Sequence, residues 1–201
     1  MTRLVIKYLA FIIVAGGLLL IGIGGYELVK SNQAQEESLH EAYKVLDVHK
    51  HEDGEIIPFD FSPNQGETVG ILEIPKIEGE LPIVEGTDED ELEKGVGHYK
   101  GTAYPSQKDQ IVLSGHRDTV FRRMGELEIG DTFIVHLPYG SFTYVIAKTK
   151  IVDADDRTVI KSTAPNEELI VTTCYPFSYV GNAPERYVLT AYPVDTEKSD
   201  R

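Results

Sequence analysis

The sequence has 201 residues, enough for one domain with short appendages, and 41% of them are apolar, which is enough to form a core. Its formal net charge of −14 argues against nucleic acid as a partner, because phosphate backbones bind basic surfaces. The single cysteine, Cys174, excludes an internal disulfide. In a secreted chain, such a cysteine either pairs with another molecule or is a free thiol with a chemical role.

The N-terminal region predicts a membrane anchor over residues 1–30. Residues 8–25 carry no charge, and this length is near the lower end of what crosses a bilayer as a helix. Arg3 and Lys7 precede the run, so the positive-inside rule places the N-terminus in the cytoplasm and the rest of the chain outside. Residues 26–35 lack the small-residue pattern of a cleavage site, so we favour an uncleaved single-pass anchor over a signal peptide.

Residues 31–66 are predicted to connect this anchor to a domain. Residues 31–50 indicate a helical stalk, because Leu39, Tyr43 and Leu46 recur at helical spacing. Turn-forming residues are frequent in the remainder, which is typical of a linker.

From residue 67 to residue 193 the pattern changes to short β-strands separated by turns. The predicted strands cover 69–74, 81–84, 110–113, 131–137, 141–152, 169–173 and 187–192. The acidic run 88–91 lacks EF-hand spacing, so we interpret it as the first turn of a short helix over 88–94 rather than a calcium site. The pattern predicts a mostly β fold, a barrel or a sandwich, followed by a polar tail over 194–201.

The candidate chemistry centres on Cys174, which ends a predicted strand shortly before Pro176. A thiol at this position is well placed for nucleophilic attack, although a buried cysteine that acts only as a small apolar side chain is equally common. Such a nucleophile needs a base and an oxyanion donor. His116 also ends a strand, His98 is a second candidate base, and Arg186 opens the strand that follows Cys174 in the chain.

Three motifs resemble the signatures of the sortase family and occur in the family's order. They are Ser-Gly-His116-Arg-Asp-Thr, Thr173-Cys174-Tyr-Pro-Phe and Ala-Pro-Glu-Arg186-Tyr. The segment Gly-His98-Tyr-Lys-Gly-Thr is similar to a family block upstream of the catalytic histidine. The resemblance covers residues 67–193 and implies the sortase fold, an eight-stranded β-barrel with short helices, here preceded by a transmembrane helix and a stalk.

The resemblance also implies the roles of the site residues. Cys174 is then the nucleophile, His116 the acid–base group and Arg186 the oxyanion donor, while Thr173 and His98 are expected to contact substrate. The implied reaction cleaves an LPxTG- or LPxTA-like sorting signal at its Thr and transfers the acyl group to a cell-wall amine, without a cofactor or a metal. The implied partners are surface proteins that bear the signal and a peptidoglycan precursor or wall peptide.

Within the family, the sequence is most similar to class D sortases. It has no second apolar span and no Asp-Pro-aromatic lid motif, which are typical of pilin-polymerising members. It departs from the family pattern T-L-x-T-C, because Ile170 and Val171 occupy the first two positions. Both residues keep the β character of the strand, so the departure weakens expectations about substrate detail and not about catalysis.

Two other functions remain open from the sequence. One is a non-catalytic adhesion module that binds a partner through tyrosine-rich loops. The other is a Cys–His cell-wall hydrolase, in which water resolves the thioester. Arg117, Arg122 and Arg123 follow His116, so one of them is an alternative to Arg186, although helix surface charges are the simpler interpretation.

Overall fold

A computed structural model describes residues 2–49, 60–178 and 181–194. The predicted polar tail beyond residue 194 and most of the predicted linker lie outside these described residues. The helices are α1 (Thr2–His49) and α2 (Glu89–Lys94). The strands are β1 (Thr68–Ile74), β2 (Gly79–Glu85), β3 (Val96–His98), β4 (Gln110–Gly115), β5 (Thr132–Leu137), β6 (Gly140–Asp153), β7 (Glu168–Tyr175) and β8 (Glu185–Pro193). Short 3-10 turns occur at Pro75–Ile77, Met124–Glu126 and Arg157–Val159.

Within the described residues, the eight strands close into a barrel in the order β1-β2-β3-β4-β7-β8-β6-β5. This architecture confirms the predicted fold class. Most neighbouring strands are antiparallel, but β2 pairs with β3 and β4 pairs with β7 in parallel. The parallel pairing of β4 with β7 matters most for function, because it brings the ends of two strands that are distant in the chain to the same edge of the barrel.

The barrel interior is filled by large apolar side chains from alternating strand positions. Phe133 on β5 and Tyr144 on β6 are fully buried there, together with branched residues from β1, β4 and β7, and Phe121 from the turn after β4 is also fully buried. The sequence did not predict β3, since three residues with a central glycine carry too little periodicity to indicate a strand. Its formation depends on pairing with β2 and β4 on its two sides.

Helix α2 begins with a capping box that uses the acidic run. The Asp88 carboxylate accepts from the backbone N–H of Glu91, and the Glu91 carboxylate accepts from the backbone N–H of Asp88. Acidic side chains in a first helical turn also interact favourably with the helix dipole. The run is therefore used to start a helix, as predicted.

Helix α1 is continuous from the apolar run to the end of the predicted stalk. An 18-residue window reaches a mean hydropathy of 2.5 and is not buried, so this helix is long and apolar enough to cross a membrane. Its second half lies on the barrel: Ser38 and Ala42 are buried, and the Ser38 hydroxyl is 3.2 Å from the Thr68 hydroxyl on β1. The predicted boundary between anchor and stalk at residue 30 therefore falls within one helix, and the stalk packs against the domain.

Candidate functional site

Cys174 lies near the end of β7, where the strand leaves the barrel. Four of the six preceding residues of this strand are buried, which anchors it in the barrel. Cys174 itself is partly exposed and is a free thiol. Because Pro176 follows within two residues and has no backbone N–H, the ladder ends here and the thiol borders a loop.

Arg186 lies directly opposite Cys174 on the neighbouring strand. Strands β7 and β8 are antiparallel, and their register pairs Cys174 with Arg186. The Arg186 guanidinium donates through Nη1 to the carbonyls of Ala183 and Glu185, at 3.2 and 3.0 Å. These bonds, one to the loop before β8 and one to the first residue of β8, hold the cation at the same edge of the barrel as the thiol.

His116 follows β4, the other neighbour of β7. Strands β4 and β7 are parallel, and their last register pair is Gly115 and Thr173. His116 and Cys174 are the residues that follow this pair, so they lie at the same end of the two strands. The Thr173 hydroxyl, which is buried, donates to the Gly115 carbonyl at 2.7 Å. The His116 side chain is exposed to solvent at the site.

A groove with a volume of ≈ 530 Å³ joins these side chains. The groove is lined by four of the five predicted site residues, which are His116, Thr173, Cys174 and Arg186. Its floor is an apolar cluster on the outer face of the sheet, made of Val112, Val152, Ile170 and Val188, with Tyr99, Val159 and Ile160 packed against it. The groove therefore combines an apolar floor with a thiol, an imidazole and a guanidinium at one end.

The loop between β6 and β7 forms one wall of the groove and is fixed to β4 by polar contacts. The buried Gln110 donates to the Val159 carbonyl at 3.0 Å and accepts from the Lys161 backbone N–H at 2.9 Å. Asp109 accepts from backbone N–H groups farther along the loop, chiefly that of Thr163, and these bonds lower the pKa of its carboxyl. These hydrogen bonds hold the wall against the start of β4.

Arg157 is a groove residue that the sequence analysis missed. It lies in the 3-10 turn of the same loop, lines the groove and is exposed. No motif marked it, since an arginine in a polar loop resembles any other surface charge. Its placement depends on the loop folding back over the sheet.

The position of His98 requires a correction to its predicted role as a substrate contact. Its side chain is 1% exposed and does not line the groove. Its Nδ1 is 2.6 Å from the Glu85 carboxylate, and its Nε2 is 3.0 Å from the Ala103 carbonyl. Both ring nitrogens are therefore engaged inside the protein, because β3 directs this side chain into the barrel wall and not into the groove.

The three arginines that follow His116 are engaged outside the groove. Arg122 donates to the Asp118 carbonyl, and Arg123 donates to the Ile77 carbonyl and pairs with Glu126. Arg117 is buried and donates to the Pro176 carbonyl. The prediction that all three are surface charges is therefore wrong for Arg117. None of the three arginines lines the groove.

The comparisons with known proteins agree with this geometry. The family model described as the sortase domain matches residues 72–194. Over 190 residues, the chain is 54% identical to Sortase D of Bacillus subtilis (strain 168), an alignment that covers 91% of this chain and 96% of the relative. The chain belongs to the sortase family. It is accordingly a cysteine transpeptidase, and the predicted resemblance, including its class D character, is confirmed.

Solved sortase structures have the same barrel. A Clostridium perfringens Sortase D5 transpeptidase superposes with a TM-score of 0.62 at 23% identity, covering 77% of this chain and 99% of that one, and shows the fold. Sortase C from Clostridium perfringens SM101 superposes with a TM-score of 0.60 at 28% identity, covering 87% of this chain and 98% of that one.

His116 also borders a second cleft, which lies between the barrel and helix α1. This cleft has a volume of ≈ 460 Å³ and is lined by α1 residues between Gly24 and Ser31, by acidic residues of α2 and by His116. Lys30 on α1 forms an ion pair with Glu93 on α2 at 2.8 Å. The edge of the barrel that carries His116 therefore lies alongside the segment of α1 that directly follows the apolar run.

Proposed function

We propose that this sortase cleaves an LPxTG- or LPxTA-like sorting signal after its Thr and transfers the acyl group to a cell-wall amine. Cys174 is the nucleophile, His116 the acid–base group and Arg186 the oxyanion donor. The observation that carries this assignment is that the chain's single cysteine shares one groove with His116 and Arg186, at adjacent ends of β7, β4 and β8.

In the first half-reaction, the Cys174 thiolate attacks the carbonyl carbon of the signal's Thr. The Arg186 guanidinium stabilises the negative charge that develops on the carbonyl oxygen. As the intermediate collapses, the carbon–nitrogen bond breaks and the His116 imidazolium donates its proton to the departing amine. The products are a thioester on Cys174, a neutral His116 and the released C-terminal fragment.

In the second half-reaction, an amine of a peptidoglycan precursor or wall peptide attacks the thioester carbon. His116 accepts the proton from the attacking nitrogen, and the bond from carbon to the Cys174 sulfur breaks. The thiolate and the imidazolium are thereby restored, and the surface protein is joined to the wall by an amide bond. The groove's apolar floor supports this substrate class, because it offers a surface for the Leu and Pro side chains that precede the scissile bond.

We further propose that the enzyme is held in the cell membrane by one helix, with the N-terminus in the cytoplasm and the barrel outside. The apolar part of α1 and the basic residues before it support this orientation. Because His116 lies beside residues 24–31, this orientation implies that the groove is close to the extracellular face of the cell membrane. A membrane-impermeant maleimide added to intact cells should label Cys174, and protection until the cells are lysed would reverse the orientation.

The decisive experiment uses the full chain in detergent micelles with LPxTG and LPxTA peptides, with and without an amine acceptor. Intact-mass spectrometry should detect a thioester that is absent from Cys174→Ala, and ligated product should form only with the acceptor. Product that is hydrolysed equally with and without acceptor would favour a cell-wall hydrolase. A folded protein whose thiol is free but which forms no adduct would favour a non-catalytic module.

A further inference from the structure

Arg117 is an unusual side chain in this site, because it is an arginine that is only 6% exposed. Arginine is almost never buried to this extent unless its guanidinium is paired. It directly follows His116 in the chain, yet it points away from the groove that His116 lines. Burying this side chain has an energetic cost, so its contacts indicate what it does.

The guanidinium connects the turn after His116 to the loop after Cys174. Its Nη1 donates to the Pro176 carbonyl at 2.8 Å. Its Nε and Nη2 donate to the two carboxylate oxygens of Asp118, at 3.2 and 3.3 Å. The planar fork on Asp118 fixes the orientation of the guanidinium, so that Nη1 is directed at the carbonyl of the other loop.

Because β7 ends at Tyr175, the Pro176 carbonyl lies beyond the strand, and it accepts from the Arg117 guanidinium. On the opposite side of the catalytic pair, the buried Thr173 hydroxyl donates to the Gly115 carbonyl at 2.7 Å. One hydrogen bond therefore joins the two segments just before His116 and Cys174, and another joins them just after.

We propose that Arg117 is a positioning residue that, together with Thr173, sets the separation and orientation of His116 and Cys174. This inference rests on the proposed roles of His116 and Cys174. The β4–β7 ladder and the Thr173 hydroxyl hold the two segments just before the pair, and the Arg117 guanidinium holds them just after it, so that each segment is fixed on both sides of its reactive residue. Proton transfer and nucleophilic attack depend on such placement, and a displacement of about 1 Å lowers rates by about 100-fold.

The test measures the reactivity of the Cys174 thiol with iodoacetamide, in the full chain in micelles and without any sorting peptide. Arg117→Lys keeps the charge but loses the fork on Asp118, and Thr173→Val keeps the shape but loses the hydroxyl. We expect each variant to alkylate about tenfold more slowly than the parent chain, because His116 no longer assists the thiol. Thr173→Ser keeps the hydroxyl donor and should therefore alkylate faster than Thr173→Val, which separates the loss of the hydrogen bond from the change in side-chain shape.

A second background distinguishes positioning from general loosening of the fold. In His116→Ala, the substitutions Arg117→Lys and Thr173→Val should change the alkylation rate less than twofold, since they act through His116. Arg122→Lys is the matched control, an exposed arginine of the same turn whose guanidinium donates to the Asp118 carbonyl. It should leave the rate unchanged.

Equal slowing in both backgrounds, or no slowing in either, would overturn the positioning role. Since Thr173→Val and Arg117→Lys act on different sides of the pair, a failure of one to fold leaves the other to decide. Alkylation needs no sorting signal, so a chain that forms no thioester but shows the expected alkylation pattern would contradict the proposed substrate and retain the positioning role.

Discussion

Arg186 faces Cys174 across the β7–β8 ladder, where the two residues form a register pair. A pair of this kind keeps the guanidinium at a fixed height relative to the sulfur, because both backbones are held by the same ladder. The carbonyls of Ala183 and Glu185 hold the guanidinium from the side of the preceding loop. The proposed role of Arg186 as oxyanion donor requires a group that is held in this way, because a fixed donor has little reorganisation to undergo as charge develops.

Replacing Arg186 with alanine should therefore lower kcat far more than it raises KM. We expect kcat for thioester formation to fall by about 10²–10³-fold, the usual effect of removing one oxyanion donor. Steady-state and single-turnover kinetics with the sorting peptide measure both constants.

Arg157→Ala is the matched control, because Arg157 is a second arginine that lines the same groove. It should change KM with kcat altered less than about threefold, as expected for a group that binds substrate equally in ground and transition states. If Arg186→Ala instead raised KM and left kcat intact, Arg186 would be a substrate clamp.

At the scale of elements, helix α1 is both an apolar helix and part of the domain surface. Its docked face repeats at helical spacing through Ser31, Ser38 and Ala42, and the small side chains allow close approach to β1 and β2. Polar contacts border this face: the Thr68 hydroxyl donates to Glu41 at 3.0 Å, and the Tyr43 hydroxyl donates to Glu80. The docked face therefore fixes the barrel relative to the apolar part of the same helix.

Ala42→Asp tests whether this docking stabilises the barrel. Ala42 is fully buried, so a carboxylate at this position should force α1 off the barrel. The free energy of unfolding should then fall by the free energy of docking, which is about 3 kcal/mol. Urea unfolding of the full chain, followed by near-ultraviolet circular dichroism, measures the change in the free energy of unfolding.

His40→Asp introduces the same side chain on the exposed side of the same helix and controls for helix propensity. It should change the free energy of unfolding by less than about 0.5 kcal/mol. Equal effects of the two variants would mean that α1 docking adds nothing to the stability of the barrel.

At the scale of the whole molecule, closure of the barrel buries an acidic network between β2 and β3. Glu85 is paired in register with His98, and its carboxylate also accepts from the Tyr104 hydroxyl at 2.7 Å. Burial by itself raises the pKa of Glu85, but the hydrogen bonds from His98 and Tyr104 outweigh it, so that the pKa is lowered below its ordinary value. The network therefore stabilises the folded chain while Glu85 is ionised.

The sign of this linkage predicts acid sensitivity. The stabilisation from Glu85 is fully present above the carboxyl's unfolded pKa of about 4.3 and is lost as the pH falls through the lower folded pKa. At neutral pH, Glu85→Gln should reduce the free energy of unfolding by about 3 kcal/mol, because it breaks a buried pair. The difference between the parent chain and the variant should shrink as the pH falls below about 4.

The matched control is Glu73→Gln, since Glu73 pairs with His136 at 2.8 Å on the partly exposed outside of β1 and β5. Solvent weakens this pair, so we expect Glu73→Gln to change the free energy of unfolding by less than about 1 kcal/mol at any pH. Thermal unfolding scans from pH 3 to pH 8 give both curves. A pH-independent effect of Glu85→Gln would show that the Glu85 carboxylate is not the titrating group.

Much of this arrangement could be predicted from local patterns. The strands were found because alternation and apolar runs reflect which faces meet the core, and the helix over 88–94 because capping uses neighbouring residues only. The candidate site residues were found by their positions at strand ends and by the family resemblance. The short strand Val96–His98 was missed, since its three residues become a strand only through its partners.

The sequence by itself determined that this protein has an apolar N-terminal helix, a β-rich domain and a single thiol accompanied by the sortase motifs. Each of these is encoded in neighbouring residues or in chemical identity. Only the tertiary structure decided that β4 and β8 flank β7, that His98 is buried, that Arg117 spans two loops and that Arg157 lines the groove. Those outcomes depend on contacts between residues far apart in the chain, and such pairings leave no periodic signal in a single sequence.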